Sequence, residues 1–278
     1  MTGEETDSRI DKAALRKALH GRIIGSRLLY FLTLTSTNDH GRELAEDGWP
    51  EGTVVLSEEQ TAGKGRAGRS WHSPPGLGLY VSIILKPSLA PEKVPLMTLM
   101  TAVATARALR DGGNDAVLKW PNDILLGGRK VGGILADARI RPGGPADVVV
   151  GLGLNVNHRQ EDWPADLLER AGSLRMNAGR TFDRTEILAR ILIRVDEAYA
   201  AARGGNAGSD AALIDDFLSY CPMARGRQVT VIGDGDPIAG ESAGLSPAGA
   251  LRVVTADGVR EIHVGEISVA ETGDAARG

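Results

Sequence analysis

The stretch AVLKWPNDILLGGRKVGGILADA, Ala116 to Ala138, decides how the chain folds. Ala116–Trp120 has the apolar, β-branched character of a short strand, and Pro121 breaks it. ILLGGRKVGGILADA then reads as a hairpin with Gly127 and Gly128 in the turn. Strands joined by a hairpin are antiparallel neighbours, so this sheet is not a stack of strand–helix–strand crossovers.

Outward from the hairpin, further strands follow. RLLYFLTLT, Arg27–Thr35, is one, and it ends at Ser36, Thr37 and Asn38, which suit the cap of a helix over about Asp39–Glu46. Thr53–Ser57 and Leu79–Leu85 are two more, and Asp147–Asn157 (DVVVGLGLNVN) is another, with two glycines where something approaches closely. Helical periodicity predicts a short helix within RIDKAALRKALHG, ending at Gly21, and a long one over Val94–Arg110, closed by Gly112 and Gly113. Asp183 with Glu186 opens a third in capping-box style, with a stripe from Ile187 to Tyr199; GGNAGS interrupts before a last helix over about Ala211–Tyr220. Hairpin-linked strands mixed with helices predict an α+β domain, a mixed sheet with helices on one face.

The pattern changes at Cys221-Pro222. From Gln228 onward short strands alternate with the turns GDGD, SPAG and ADG, which predicts a small β-barrel. The expected division is therefore 1–26, a tail (disordered over Met1–Arg9) with a short helix; 27–221, the main domain; 222–272, the barrel; and 273–278, a disordered tail.

Composition bounds the function. The 278 residues carry a net charge of −4, so there is no general basic footprint for nucleic acid or membrane. Cys221 is the single cysteine, which excludes an internal disulfide and a cysteine metal cluster. The polar, acidic start MTGEETDSRID is not a signal peptide, and no apolar run reaches the ~20 residues a membrane span needs. A cytoplasmic protein is expected.

Three clusters carry chemistry. QTAGKGRAGRSW, Gln60–Trp71, sets Gly63, Gly65 and Gly68 among Lys64, Arg66 and Arg69. It is neither a P-loop nor a G-x-G-x-x-G turn, and it reads as an anion site or as a charged, solvated loop. In KWPNDILLGGRKVGGIL, Asn122 and Asp123 begin the hairpin, Lys130 lies past its turn, and Gly132-Gly133 allows close approach. The functional reading makes Lys130 a point charge on phosphate and Asp123 a metal or hydroxyl partner; a polar hairpin is the alternative. Asn155 and Asn157, in GLGLNVN, are polar residues in an apolar strand or ordinary strand-end asparagines.

Taken together, STN at Ser36–Asn38, QTAGKGRAGRSW, KWPND with GGRKVGGIL, GLGLNVN, and GEIS at Gly265–Ser268 resemble the biotin–protein ligases in order and spacing, over about Thr33 to Ala270. The resemblance implies a catalytic domain of the class II aminoacyl-tRNA synthetase-like type at 27–221 and an SH3-like barrel after it. It implies an ATP-dependent ligase that makes biotinyl-5′-AMP from biotin and ATP, then transfers biotin to a lysine of the biotin carboxyl carrier domain of a carboxylase. Biotin would meet Ser36, Thr37, Asn38, Gln60, Lys64, Gly65, Arg66, Lys130, Gly132 and Gly133. ATP and the adenylate would meet Arg66, Arg69, Trp71, Lys119, Asn122 and Asn155. Lys130, Arg66 and Asp123 would carry catalysis, with Mg²⁺ expected beside the pyrophosphate and Asp123 as its direct or water-mediated contact. Trp163 reads either as a cover for adenine or as a core residue.

One position departs from the family, which usually has Arg where this chain has Lys64; lysine keeps the charge but loses the planar fork. Some members are also repressors through an N-terminal winged helix. About 35 residues precede Ser36, with one short helix predicted, so the short class without specific DNA binding is expected. No membrane contact is expected, and a homodimer is compatible with the sequence. A lipoate ligase or octanoyltransferase shares the fold, but the transferase needs a catalytic cysteine and Cys221 lies outside all three clusters. A biotin sensor without ligase activity would not need Lys130 or Arg66.

Overall fold

Two strands in the middle of the main sheet are buried almost end to end, β3 (Gly78–Leu85) and β7 (Asp147–Asn155). Both faces of that part of the sheet are covered, which is why their sequences are continuous apolar runs rather than alternations. The structure, a computed structural model, describes residues 9–139, 147–203, 207–233 and 235–269. The tails expected at Met1–Arg9 (Arg9 apart) and 273–278, and the start of GGNAGS, lie outside the described residues.

The remaining strands of this sheet are β1 (Arg27–Leu34), β2 (Thr53–Gln60), β4 (Val117–Lys119), β5 (Asp123–Leu126) and β6 (Arg129–Arg139). The seven run in the order β1-β2-β3-β7-β6-β5-β4. β1 and β2 are parallel and every other pairing is antiparallel, so the sheet is mixed and the Ala116–Ala138 hairpin forms its far edge. The helices are α1 (Lys12–Ala18), α2 (Thr37–Glu46), α3 (Pro95–Asp111), α4 (Leu174–Ala178), α5 (Arg184–Ala202) and α6 (Ala207–Tyr220).

Residue parity along the strands sorts the helices. Val54, Leu56, Val81, Ile83, Val148 and Val150 point into a core shared with α1, α3, α5 and α6. Val55, Ile84 and Val149 point the other way, against Leu44 and Ala45 of α2. The expected layer on one face thus holds for those four helices, and α2 is the exception. Most of α3 is buried, and Thr101 and Thr105 are tolerated there because their hydroxyls donate to Met97 O and Thr101 O at 2.8 and 2.7 Å. Each fully buried Leu or Met of α3 contributes roughly 1.5–3 kcal/mol.

The expected cap of α5 is half present. Asp183 accepts from Thr185 N and Glu186 N, but the Glu186 carboxylate turns outward to Arg190. Arg184, the next residue, is buried and donates to Glu58 at 2.6 Å and to Gly78 O at 2.8 Å. Glu58 also accepts from Tyr30 OH (2.7 Å) and Ile10 N (3.0 Å), so the buried charge pair is well partnered and ties α1 and α5 to β2.

The C-terminal strands β8 (Arg225–Ile232), β9 (Ile238–Leu245), β10 (Leu251–Thr255), β11 (Gly258–Ile262) and β12 (Glu266–Val269) form a second, antiparallel sheet in the order β11-β10-β9-β8-β12, the small SH3-like unit. Val229, Val231, Leu251, Val253 and Ile267 point inward and join the main core. Trp120, buried after β4, donates its indole N–H to Gly249 O at 3.0 Å and fastens the two sheets together. Among the described residues no helix is long and apolar enough to cross a membrane.

Candidate active site

A cavity of about 480 Å³ opens over the α2 face of the main sheet. That is an ordinary size for a small-molecule site. Six lysines and arginines line it against three carboxylates, in a chain whose net charge is −4. Positive charge is therefore concentrated here.

One end is neutral and closely hydrogen-bonded. Ser36 caps α2, accepting from Asp39 N at 3.4 Å. Gln60, at the end of β2, accepts from Thr37 N (2.8 Å) and Thr37 Oγ1 (3.1 Å) and donates to Ser73 Oγ (3.0 Å). Ser82, fully buried in β3, donates to Asn38 Oδ1 at 2.6 Å and lies 2.8 Å from Thr37 Oγ1. The Asn38 amide donates to Leu135 O and Asp137 Oδ2. Asn38 is thus committed to protein partners and shapes the wall, Ser36, Thr37 and Gln60 border the open space, and Ser73 stands behind Gln60. Gly151 is glycine because a side chain there would overlap the Asn38 amide oxygen.

The glycine-rich loop folds over this end as a short finger. Gly65 N–H donates to Arg69 O at 2.6 Å and Trp71 N–H to Gly63 O at 2.8 Å, and Ala67 is left-handed at the tip (φ 53°). Its three cations go in three directions. Lys64 donates to Asp39 at 2.7 Å, an acid that also pairs with Arg42. Arg69 pairs with Glu266 of β12. Arg66 donates to Asn122 Oδ1 at 3.2 Å, and Asn122 in turn donates to Ile134 O at 2.9 Å. Burial pulls the Arg66 guanidinium below its ordinary pKa, and Asp123 pushes back. For Glu266, burial alone would raise the carboxyl; the Arg69 bond and charge, with Lys119 and Lys130 behind, outweigh it and hold the group below the usual range.

Trp71, at the base of the finger, lies flat on the glycines of β6 and β7. Its indole N–H is buried without a hydrogen-bond partner. Lys130 sits 5.6 Å from the Trp71 ring centroid and 2.6 Å from Asp123 Oδ1. A β-bulge aims Lys130. The register shifts between Ile124 and Leu125, which pair with Gly132 and Lys130. The extra residue brings Lys130 onto the same face as Gly133, whose added Cβ would lie 3.4 Å from Lys130 Cε. Gly132 faces the opposite way, towards Ile124 and Leu154, so it packs the core and does not border the cavity.

At the far end stands the segment between β7 and α4. It pairs with Lys130 through Lys130 N→Arg170 O and Gly172 N→Lys130 O, both 2.9 Å. Asn155 donates to Gly172 O at 3.0 Å, while its Oδ1 is buried and unpartnered, an acceptor left over beside the cavity. Trp163 borders the cavity with His72, and its indole N–H lies 3.3 Å from Met176 Sδ.

The residues expected from the sequence therefore converge, with Gly132 the exception. Ser82, Ser73, His72, Arg170 and Glu266 are additions. A lone serine in the apolar run LYVSIIL was the available sign of Ser82. Glu266 lay in a recognised motif, but only the docking of β12 brings it to Arg69.

Residues 28–155 match the biotin/lipoate A/B protein ligase family, and residues 225–269 match the biotin protein ligase C terminal domain. The chain is 32% identical to a bifunctional ligase/repressor of Bacillus subtilis over 263 residues, 94% of this chain and 79% of that protein. It is 32% identical to a biotin–[acetyl-CoA-carboxylase] ligase of Mycobacterium tuberculosis over 208 residues, 71% of this chain and 73% of that protein. A biotin protein ligase from Aquifex aeolicus, solved in complex with biotin and ATP, superposes with a TM-score of 0.73 at 30% identity, covering 88% of this chain and 99% of that one.

Proposed function

The chain belongs to the biotin protein ligase family, and from that premise we propose how its cavity divides the family's chemistry. It is an ATP-dependent ligase that forms biotinyl-5′-AMP from biotin and ATP and transfers the biotin to a lysine of a biotin carboxyl carrier domain. The observation that carries the reading of the site is the polarity gradient: a neutral hydrogen-bonding end, an apolar floor, then a cation cluster.

The ureido ring needs short donors and acceptors, which Ser36, Thr37 and Gln60 present at the closed end, with Ser82 holding Thr37 and Ser73 holding Gln60 in place. The sulfur ring and valeryl chain run over Leu135 and Gly151 and against the open face of Trp71, whose other face covers Gly133 and Gly153. The carboxylate then emerges beside Lys130 and Arg66, where the α-phosphate of ATP must approach it. Two unit anions 4 Å apart repel by about 4 kcal/mol in a half-buried setting. Lys130 and Arg66 offset that repulsion without moving far, Lys130 turning from Asp123 to substrate oxygen. Arg69 and Lys119 extend the positive wall towards the leaving pyrophosphate. The unpartnered Asn155 Oδ1 accepts from a ribose hydroxyl, and Trp163 borders the base.

Mg²⁺ fits this site as a companion of the phosphates. Among the described residues no group of three His, Cys, Asp or Glu side chains could cage a metal, and Mg²⁺ commonly binds through one carboxylate, waters and phosphate. Asp123 is the residue that would hold it, and the ion would neutralise pyrophosphate charge. Cys221 takes no part: it is buried away from the cavity lining, and burial pushes its thiol up to about 11. The reading puts the enzyme in the cytoplasm without specific DNA or membrane contacts, and it is compatible with a homodimer.

ATP–pyrophosphate exchange, measured with and without biotin, tests the assignment. Exchange should require biotin. Equal exchange driven by lipoate would overturn it.

A further inference from the structure

Behind the cavity wall lies a residue that stability does not explain. His158 has no exposed surface, and neither ring nitrogen has a hydrogen-bond partner. Burying an imidazole this way carries a desolvation cost that an apolar ring of similar shape would avoid. Its geometry is specific. The ring lies parallel to the Trp163 indole, with centroids 4.5 Å apart and planes 9° apart.

Both partners of that stack are fixed from outside it. Ser173 donates to His158 O at 2.7 Å and caps α4, which holds the His158 backbone. Met176, on the same helix, receives the Trp163 N–H. His72 leans on both rings, at 5.8 Å from Trp163 and 6.2 Å from His158, and its Nε2 lies 3.1 Å from Asp162 O. Trp163 and His72 border the cavity, and His158 does not.

We propose that His158 is a positioning residue for ATP: by backing Trp163 it fixes the orientation of the indole that the nucleobase meets, without touching substrate itself. The inference rests on the ligase reading above. A planar five-membered ring lets the larger indole lie flat against it, where an aliphatic residue would leave it free to tilt. The imidazole stays neutral in this role, with its pKa pushed down to about 4 chiefly by burial; His72 and Arg184 add to the depression and Asp162 opposes it. The effect is local to the nucleotide end, because the biotin end is built from α2, β2 and β3.

The test separates KM for ATP from KM for biotin in pyrophosphate exchange, for wild type, His158→Ala and His158→Phe, each checked for folding by thermal unfolding. Removing an aromatic partner is expected to raise KM for ATP about tenfold in His158→Ala. KM for biotin should stay within twofold of wild type. His158→Phe, which keeps a flat ring, should restore KM for ATP to within threefold. An unchanged KM for ATP in folded His158→Ala overturns the proposal, as do equal rises in both KM values or a folded His158→Phe no better than the alanine variant. If His158→Ala does not fold, His158→Phe decides: recovery together with a wild-type biotin KM supports the role, and a raised KM for ATP refutes it. Wild type that lacks biotin-dependent exchange would instead sink the ligase reading, whatever His158 does.

Discussion

Replacing Gly153 with alanine should damage biotin binding more than it damages the fold. Gly153 lies in the middle of β7, paired with Tyr80 on one side and Gly133 on the other, so its backbone cannot yield. It has no positive φ, and alanine brings no backbone strain. The added Cβ, however, would lie 2.5 Å from Cε2 and Nε1 of Trp71 and 3.0 Å from Cζ2. Three contacts on one rigid ring system cannot be relieved by a turn within its plane. The indole must retreat by about 1 Å to regain ordinary contact distance, and the open space is the cavity. Overpacking of this kind costs about 1–3 kcal/mol. Ligand must push the ring back, so biotin affinity should fall by about 5- to 150-fold, while unfolding stability drops by less than that energy because the empty cavity absorbs the shift. Gly133→Ala is the control: its Cβ meets Trp71 and Lys130 at 3.4 Å, an ordinary contact. Urea unfolding and isothermal titration with biotin, without ATP, measure the two effects. Wild-type affinity in Gly153→Ala, or a larger loss in Gly133→Ala, would refute the reasoning.

His158 titrates at about 6.5 unfolded and about 4 folded, so the unfolded chain binds more protons between those values. Stability should therefore fall as pH drops from 6.5 to 4, by about 3 kcal/mol in all, and His158→Phe should flatten that limb in denaturant titrations at about pH 7, 5.5 and 4.5. Lys130→Ala removes a preorganised charge from the reacting oxygens and should slow single-turnover adenylate formation by roughly 100-fold or more; a loss under about threefold would make Lys130 a bystander. Arg66→Gly should still form adenylate but let it escape, so that an unrelated lysine-rich protein in the same tube becomes biotinylated. No bystander labelling, with no free adenylate, would confine Arg66 to the first step.

Much of this architecture was legible in local chemistry. The Gly127-Gly128 turn, the Asp183 cap and the unbroken apolar runs of β3 and β7 depend on neighbours a few residues away, and pattern reading found them. The glycines of GLGLNVN also announced a close approach. What approaches was not legible: Asn38 meets Gly151 and Trp71 meets Gly153 across separations of about a hundred residues, which only chain packing creates. Strict strand alternation would send Lys130 and Gly133 to opposite faces; the bulge opposite Ile124 and Leu125 puts them on one, and a bulge is a property of two paired strands. The cap at Ser36–Asn38 announces α2, not the side of the sheet on which it docks, which follows from the crossover between the parallel strands β1 and β2. Lys64, read as a charge for an anion, is turned to Asp39, and Glu266 stands beside Arg69 through the docking of the C-terminal sheet on the main domain, where Trp120 also bonds to Gly249. Sequence thus determined the elements and the chemical groups available, because propensity, capping and turn geometry are short-range. Tertiary structure decided which of those groups face one another, because a side chain's direction and partner depend on register, bulges and the packing of distant elements.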